Sequence, residues 1–389
     1  MKNIDQNYNS DSLPSPESSR TSSGLAPFKL LMLSGGSLVG QNVLSALAMR
    51  RDSCQLSVMN CKDDEPAIFD YDTVFFAPSL VTARKDFEQR FGEVLSIVNP
   101  DLIIPCRDED VVFVSELAEK RPDLHARLLC GSLDIAVSML DKWLSWEFSN
   151  AHGLPFAPSI CTNMDISSIR AFIERYGLPI IAKPRTGFAS RGVKLLFKRS
   201  QLDALFGRPD YILQKYIGDP GKVYEYISQV EEEGIPLFHS LEETKISVQG
   251  CIGPKGELGG FLVTQHVMRQ GKSERVELCE DDVVLQQSFQ WIAKIVAAGW
   301  RGPINIQCQR DQDGNLSIYE YNGRFTGATS GRILLGFDEV GITLGLWLGK
   351  QFPQSGIRTG NKAVVRTPVS RVVDLLKVNQ IRQKGYWRE

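Results

Sequence analysis

From Lys29 onward, short apolar runs take turns with stretches in which apolar side chains recur every three or four residues. KLLML (29–33) runs into Ser34-Gly35-Gly36 and then a helical repeat to about Arg50. QLSVMNC (55–61) and DTVFFAP (72–78) are strand-like, and the helical FEQRFGEVLSIVNP (87–100) leads into DLIIPC (101–106). Strands alternating with helices predict a parallel sheet with right-handed crossovers over 28–133. In SLDIAVSMLDKWLSWEFSNAHGLP (132–155), Leu133, Val137, Leu140, Leu144 and Phe148 have the spacing of one helix face. SSIRAFIERYG (167–177) predicts a helix and YILQKYI (211–217) a strand. TKISVQGCIGPKGELGGFLVTQHV (244–267) predicts a hairpin about Pro254-Lys255-Gly256, and VVLQQSFQWIAKIVAAGW (283–300) an amphipathic helix. The charged stretch 218–243 shows no clear period and reads as an insertion. Residues 1–27, rich in Ser, Asn, Asp and Pro, bury too little to offset ordering and predict a disordered tail.

Composition narrows the class. The 389 residues, 42% of them hydrophobic, suffice for two or three packed units. A net charge of −2 gives no reason to expect nucleic acid or an anionic membrane as partner. No apolar run approaches the ~18 residues of a membrane span, and the N-terminus lacks the apolar core of a secretory signal. The eight cysteines are scattered without a C-x-x-C pair, which points to a reducing, cytoplasmic setting rather than a disulfide framework or zinc site. GGSLVG (35–40) misses the G-x-G-x-x-G spacing, and the second strand ends in Asn60-Cys61 rather than a ribose-binding acid. A nicotinamide-dependent oxidoreductase is thereby disfavoured. A tight turn opening a helix remains, with room for a small anion at the helix N-terminus.

Two segments carry chemistry. IAKPRTGFASRGV (181–193) crowds Lys183, two arginines, two hydroxyls and two glycines between apolar runs. That is the composition of a phosphate cradle, and equally of a solvated turn. GPINIQCQRDQDGNLSIYEYNGRF (302–325) is a hairpin about Asp313-Gly314. A two-residue loop there sets Gln307 opposite Glu320 and Asn305 opposite Asn322, with Arg324 on the same face if the strand continues. One carboxylate among amide oxygens suits Mg²⁺ shared with nucleotide phosphates.

These residues resemble the ATP-grasp ligases, specifically the branch of the carbamoyl phosphate synthetase large subunit. The resemblance spans about 30–350 in four ordered blocks: Asp141-Lys142-Trp143 with GLPFAPS, the 181–193 loop, Leu213-Gln214-Lys215-Tyr216-Ile217, and the 302–324 hairpin. It implies an α/β chain with an N-terminal Rossmann-like pre-ATP-grasp parallel sheet (28–133). A two-lobed α+β grasp domain follows: a small lobe with the phosphate lid (134–212), then a large lobe with the metal hairpin and a C-terminal extension (213–389). It implies ATP, with Lys142 and Lys183 on the phosphates and Gly187, Ser190 and Gly192 in a mobile lid. Gln214, Lys215 and Ile217 would form the adenine-reading hinge. Mg²⁺ (or Mn²⁺) would sit on Gln307, Glu320 and Asn322. Lys183 and Arg324 would be catalytic, Arg324 contacting an acyl phosphate and the substrate, and Arg107 and Arg269 are further substrate candidates read from the residues themselves, the acids after Arg107 being equally those of a plain helix N-terminus. Arg107 opens the charged cluster Arg107-Asp108-Glu109-Asp110 where a parallel strand ends, a common ligand position.

The chain departs from the pattern in places. Lys245-Ile246-Ser247-Val248, after the 218–243 insertion, stands where the family carries an acidic ribose contact. Gly323 replaces a proline and is expected to loosen the loop. Phe188 and Arg191 interrupt the lid. The implied activity is ATP-dependent ligation of a small carboxylate, an amino acid or similar, to an amine, with release of ADP and phosphate. Small molecules are the expected partners, with a homodimer compatible. A catalytically degenerate ATP-binding module for regulation or assembly is the competing reading; Glu320, Asn322 and Arg324 together argue against it.

Overall fold

The computed structural model describes residues 27–187, 190–234, 244–269, 272–350, 362–367, 371 and 373–388. The tail expected over 1–27 lies outside them except for Pro27.

The first layer is a five-stranded sheet. Strands β1 (Phe28–Leu33), β2 (Cys54–Asn60), β3 (Thr73–Phe76) and β4 (Leu102–Pro105) run parallel in the order β3-β2-β1-β4. Helices α1 (Leu38–Leu47), α2 (Arg84–Val98) and α3 (Asp108–Lys120) cover it. Buried on both faces, β1 is almost continuously apolar: Leu30 and Met32 join one core, Leu31 and Leu33 the other.

The helical stretch after it is two helices, α4 (Leu133–Leu140) and α5 (Lys142–Ala151), not one. Asp141 breaks the run by leaving helical geometry and accepting hydrogen bonds from the Trp143 and Leu144 amides at 2.8 and 3.3 Å.

A four-stranded sheet forms the small lobe: β5 (Ser159–Cys161), β6 (Ile180–Pro184), β7 (Lys194–Leu196) and β8 (Tyr211–Lys215), in the order β5-β8-β6-β7, backed by α6 (Ile166–Tyr176). Ile180, Ala182 and Leu213 pack against Ile169, Phe172 and Ile173 of α6. Lys183 and Gln214, one residue on, face away from that core. β8 is thus a small-lobe strand, and a lobe boundary between 212 and 213 passes through it. The 218–243 stretch contains a helix, α7 (Pro220–Glu233), capped by Asp219, with 235–243 outside the described residues.

The third sheet is antiparallel, in the order β13-β12-β9-β10-β11-β14. Its strands are β9 (Thr244–Ile252), β10 (Leu258–Arg269), β11 (Lys272–Leu278), β12 (Gly302–Arg310), β13 (Leu316–Asn322) and β14 (Ala363–Val365). Helix α8 (Asp282–Ala297) covers one face, where Val248, Ile304, Ile306 and Ile318 meet Trp291, Ile292 and Ile295. The other face is polar and looks into the molecule. Helices α9 (Thr329–Leu334) and α10 (Glu339–Leu348) carry the chain back to α1. At the end α11 (Leu375–Lys384) and β15 (Tyr386–Arg388) return to the first sheet, β15 pairing antiparallel with β3. The last segment of 213–389 therefore packs with the N-terminal sheet, held by buried Ile381 and Trp387.

Candidate active site

Lys183 is 6% exposed, and its Nζ donates to Gln214 Oε1 at 2.7 Å and to the Tyr319 carbonyl at 3.0 Å. Gln214 is fixed in turn by donating to Ser159 Oγ at 3.0 Å. Burial pushes the Lys183 ammonium down to about 7; Glu320 opposes the shift, and Lys142 and Lys245 add to it. Three lysines, Lys142, Lys183 and Lys245, thus stand near the single carboxylate of Glu320.

Lys142 is joined to the loop that follows β6. The Lys142 amide donates to the Arg185 carbonyl at 2.8 Å and its Nζ to the Gly187 carbonyl at 3.1 Å. Asp141 holds Arg185 through Nη2 at 2.7 Å. Gly187 and Gly192 sit at φ 128° and 75°, where glycine is favoured, and Ser190 at 56°. Residues 188–189, the tip, lie outside the described residues. In the hinge the Lys215 amide is committed to the Pro158 carbonyl at 2.9 Å, and Ile217 is buried. A nucleotide base would have to find other backbone groups than the Lys215 N–H.

The hairpin pairs Gln307 with Glu320 and Asn305 with Asn322, as the register argument requires, but by a different route. The turn is longer than two residues, since Arg310 pairs with Leu316 and the Asp311 amide donates to the Asn315 carbonyl at 2.9 Å. A bulge between Gln307 and Cys308 then restores the register, with Tyr319 the extra residue. The bulge is where the Tyr319 carbonyl meets Lys183, and the Tyr319 hydroxyl donates to Gln307 Oε1 at 3.1 Å.

Glu320 forms no hydrogen bond or ion pair among the described residues, although it lies close enough to Lys183 and Arg324 to influence both. Asn322 Oδ1 accepts from Arg324 Nη2 at 2.9 Å. β13 ends at Asn322, so the expected continuation that would carry Arg324 beyond it does not occur. Arg324 instead folds back onto Asn322, and its Nη2 also donates to Asp108 Oδ2 at 2.8 Å. Gly323 does not loosen the loop either. A Cβ there would stand 2.4 Å from the ring of Trp300, which is fully buried. The glycine is a packing requirement.

Asp108 is the first residue of α3, at the carboxyl end of β4, so the N-terminal layer reaches the hairpin through the residue beside Arg107. Arg107 itself lies 3.6 Å from Glu65 and 3.9 Å from the Cys61 sulfur, at the ends of the parallel strands. Burial pushes the Asp110 carboxyl up to about 7, while it accepts from Ser34 Oγ at 3.1 Å and from the Arg107 amide at 3.0 Å. Arg269 ends β10, and its side chain lies outside the described residues.

Sequence reasoning missed Asp108 as the partner of Arg324 and Lys245 as a third lysine facing the hairpin, 5.4 Å from the Tyr319 ring. It also missed a polar group behind them. Arg332 is fully buried, donating to both Glu339 oxygens at 2.8 and 2.9 Å and to Gln249 Oε1 at 3.0 Å. Gln249 Nε2, Asn322 Nδ2, Arg324 Nε and Arg332 Nη1 are buried donors with no acceptor among the described residues. The alternation Lys245, Ser247, Gln249 along an otherwise apolar strand was the available signal.

No family model matches the sequence, and no curated protein matches it. Solved structures do. N5-carboxyaminoimidazole synthetase from Staphylococcus aureus complexed with ADP superposes with a TM-score of 0.63 at 15% identity, covering 86% of this chain and 81% of that one. The biotin carboxylase domain of the Hydrogenobacter thermophilus 2-oxoglutarate carboxylase, a dimer with MgADP and bicarbonate, gives 0.60 at 15%, covering 85% and 72%. Biotin carboxylase from Campylobacter jejuni gives 0.60 at 14%, covering 83% and 72%. The chain shares the fold of these enzymes.

Proposed function

We propose that this chain, with the ATP-grasp fold as premise, is an ATP-dependent carboxylate–amine ligase that works through an acyl phosphate. The observation that carries the reading is Glu320: a carboxylate on the inner face of the hairpin, near buried Lys183, that makes no hydrogen bond or ion pair among the described residues. A structural carboxylate would be paired; this one, with amide oxygens near it, fits a divalent cation carried on nucleotide phosphates.

ATP would lie between the two lobes, its phosphates neutralised by Lys142 and Lys183 and covered by the 187–192 lid, with adenine at the Gln214–Ile217 hinge. Mg²⁺ would be held by Glu320 and Gln307, with Asn322 contributing only if its oxygen is released by Arg324, and would supply charge neutralisation. A carboxylate oxygen attacks the γ-phosphorus, the bond to the β-phosphate oxygen breaks, and ADP leaves. The amine then attacks the acyl carbon, loses a proton, and inorganic phosphate departs. Most of the work is positioning and electrostatics. Arg324, held in plane by Asn322 and Asp108, is pre-oriented for the developing negative charge.

The test is ADP release against a panel of amino acids and other small acids, singly and with amines. With the correct acid, ATP and hydroxylamine, a hydroxamate should form together with ADP. AMP and pyrophosphate as products would overturn the mechanism.

A further inference from the structure

On the side of the small lobe away from Lys183, a cavity of about 440 Å³ opens between α6, the turn over Arg199–Leu202 and strand β8. Its floor is Ile169, Ile173, Leu205 and Leu213, all buried. Its mouth keeps two large apolar side chains in water: Ile166 is 44% exposed and Phe206 47%. Four charged side chains stand around it, Arg170 and Glu174 from α6, Arg199 and Asp203 from the turn.

Arg170 and Glu174 stand one helical turn apart on α6, Arg199 and Asp203 open and close the turn, and all four are exposed. Neither pair closes: among the described residues none of the four has an ion pair. Elsewhere the chain does close such contacts, as in Arg84–Glu88 at 2.6 Å on α2 and Arg208–Asp210 at 2.6 Å just past this turn. An apolar basin of ordinary ligand-pocket size (roughly 300–1,000 Å³), rimmed by two unpaired cations and two unpaired anions, is complementary to a molecule bearing both charges around an apolar body.

We propose that this cavity is a second ligand site, taking a small zwitterion with an apolar side chain, the chemistry of an aliphatic or aromatic amino acid. The carboxylate would be met by Arg170 and Arg199, the ammonium by Glu174 and Asp203, and the side chain by the basin between Phe206 and Leu213. The site is separate from the nucleotide site by the thickness of one strand. Leu213 lines the cavity, and its neighbour Gln214, on the opposite face, accepts from Lys183 at 2.7 Å. Both sites can be filled together, and the site does not depend on the reaction assigned above.

Calorimetric titration of the full chain, saturated with a non-hydrolysable ATP analogue, tests this with leucine and phenylalanine. Leucinamide, 4-methylpentanoate and serine, which lack the carboxylate, the amine and the apolar body, serve as controls. Saturable binding of leucine or phenylalanine, with each control at least about tenfold weaker, is expected. Phe206→Ala and Arg170→Ala, at exposed positions that leave the lobe core intact, should each weaken binding by a similar factor with unchanged thermal midpoints. No saturable binding, displacement by the nucleotide analogue, or full affinity in both variants would overturn the proposal. The last two outcomes would place the amino acid in the interlobe cleft.

Discussion

Lys183 is the residue at which burial and charge come together. Its folded-state pKa of about 7 lies below the ordinary 10.5, so between those values the unfolded chain holds a proton that the folded protein has released. Without nucleotide, stability therefore rises with pH across that window. A phosphate against Nζ favours the ammonium, so above pH 7 ATP binding should be accompanied by proton uptake at this site. Calorimetry in two buffers of different ionisation enthalpy measures that uptake, and Lys183→Met should abolish it and weaken ATP. Uptake that persists in the variant would assign the proton elsewhere. Lys183 was legible because a lysine ending an apolar strand before a glycine loop is unusual. Gly323 was misread, because its reason lies 23 positions earlier in Trp300. Gly323→Ala should cost about 1–3 kcal/mol by overpacking. Denaturant unfolding should show part of that recovered with Trp300→Phe, whose smaller ring makes room.

Among the elements, the β12–β13 hairpin shows how a register can be right where it matters while the turn is wrong. Asp-Gly announces a tight loop, yet the longer turn shifts the first pairs by one residue and the Tyr319 bulge shifts the rest back. A one-residue slip moves every side chain to the other face, so only the alternation of Ile304, Ile306 and Ile318 toward α8 fixes the outcome. That alternation is readable; the bulge is not, because it depends on Lys183 in another lobe donating to the Tyr319 carbonyl. Similarly, the apolar spacing across 133–148 is real, but the Asp141 cap and its Arg185 contact divide it into two helices. The inner face of the hairpin predicts a separation of effects. Glu320→Gln keeps shape and breaks no ion pair, so its thermal midpoint should move by less than that of a ~0.5 kcal/mol change. The Mg²⁺ concentration for half-maximal ADP release should rise at least about tenfold, the scale of one lost charged ligand. A midpoint that falls steeply with an unchanged Mg²⁺ requirement would make Glu320 structural.

Across the assembled chain, the N-terminal sheet and the large lobe share one core and several polar ties, whereas the small lobe has its own. Phe325, Val340 and Leu344 pack with Leu30, Val43 and Leu47; Arg50 pairs with Asp338; Asn42 Oδ1 accepts from the Ser330 amide and hydroxyl at 3.0 and 2.6 Å. The β15 strand closes the same union from the far end. None of these contacts was legible, because each joins segments far apart in sequence through ordinary polar residues. What was legible was the order of layers, since the period of the apolar pattern sets it locally. Within this union the Arg324–Asp108 pair is the tie that enters the cleft, with side chains only 12% and 22% exposed. Removing one partner of a buried pair leaves the other charge uncompensated, worth ~3–5 kcal/mol when fully desolvated. The partial exposure of Asp108 lowers that for this pair. Asp108→Ala should therefore lower stability and free Arg324 from its plane, so that kcat/KM for the acid falls by about 10²-fold, the scale of a misplaced catalytic group. ATP affinity, which the proposed function assigns to Lys183 and Lys142, should change less than about twofold. Asp108→Asn, which keeps an acceptor oxygen but not the charge, should fall between the two in both stability and kcat/KM. Equal losses of ATP affinity and acid turnover in Asp108→Ala would mean that the pair supports the lobes as a whole rather than the orientation of Arg324.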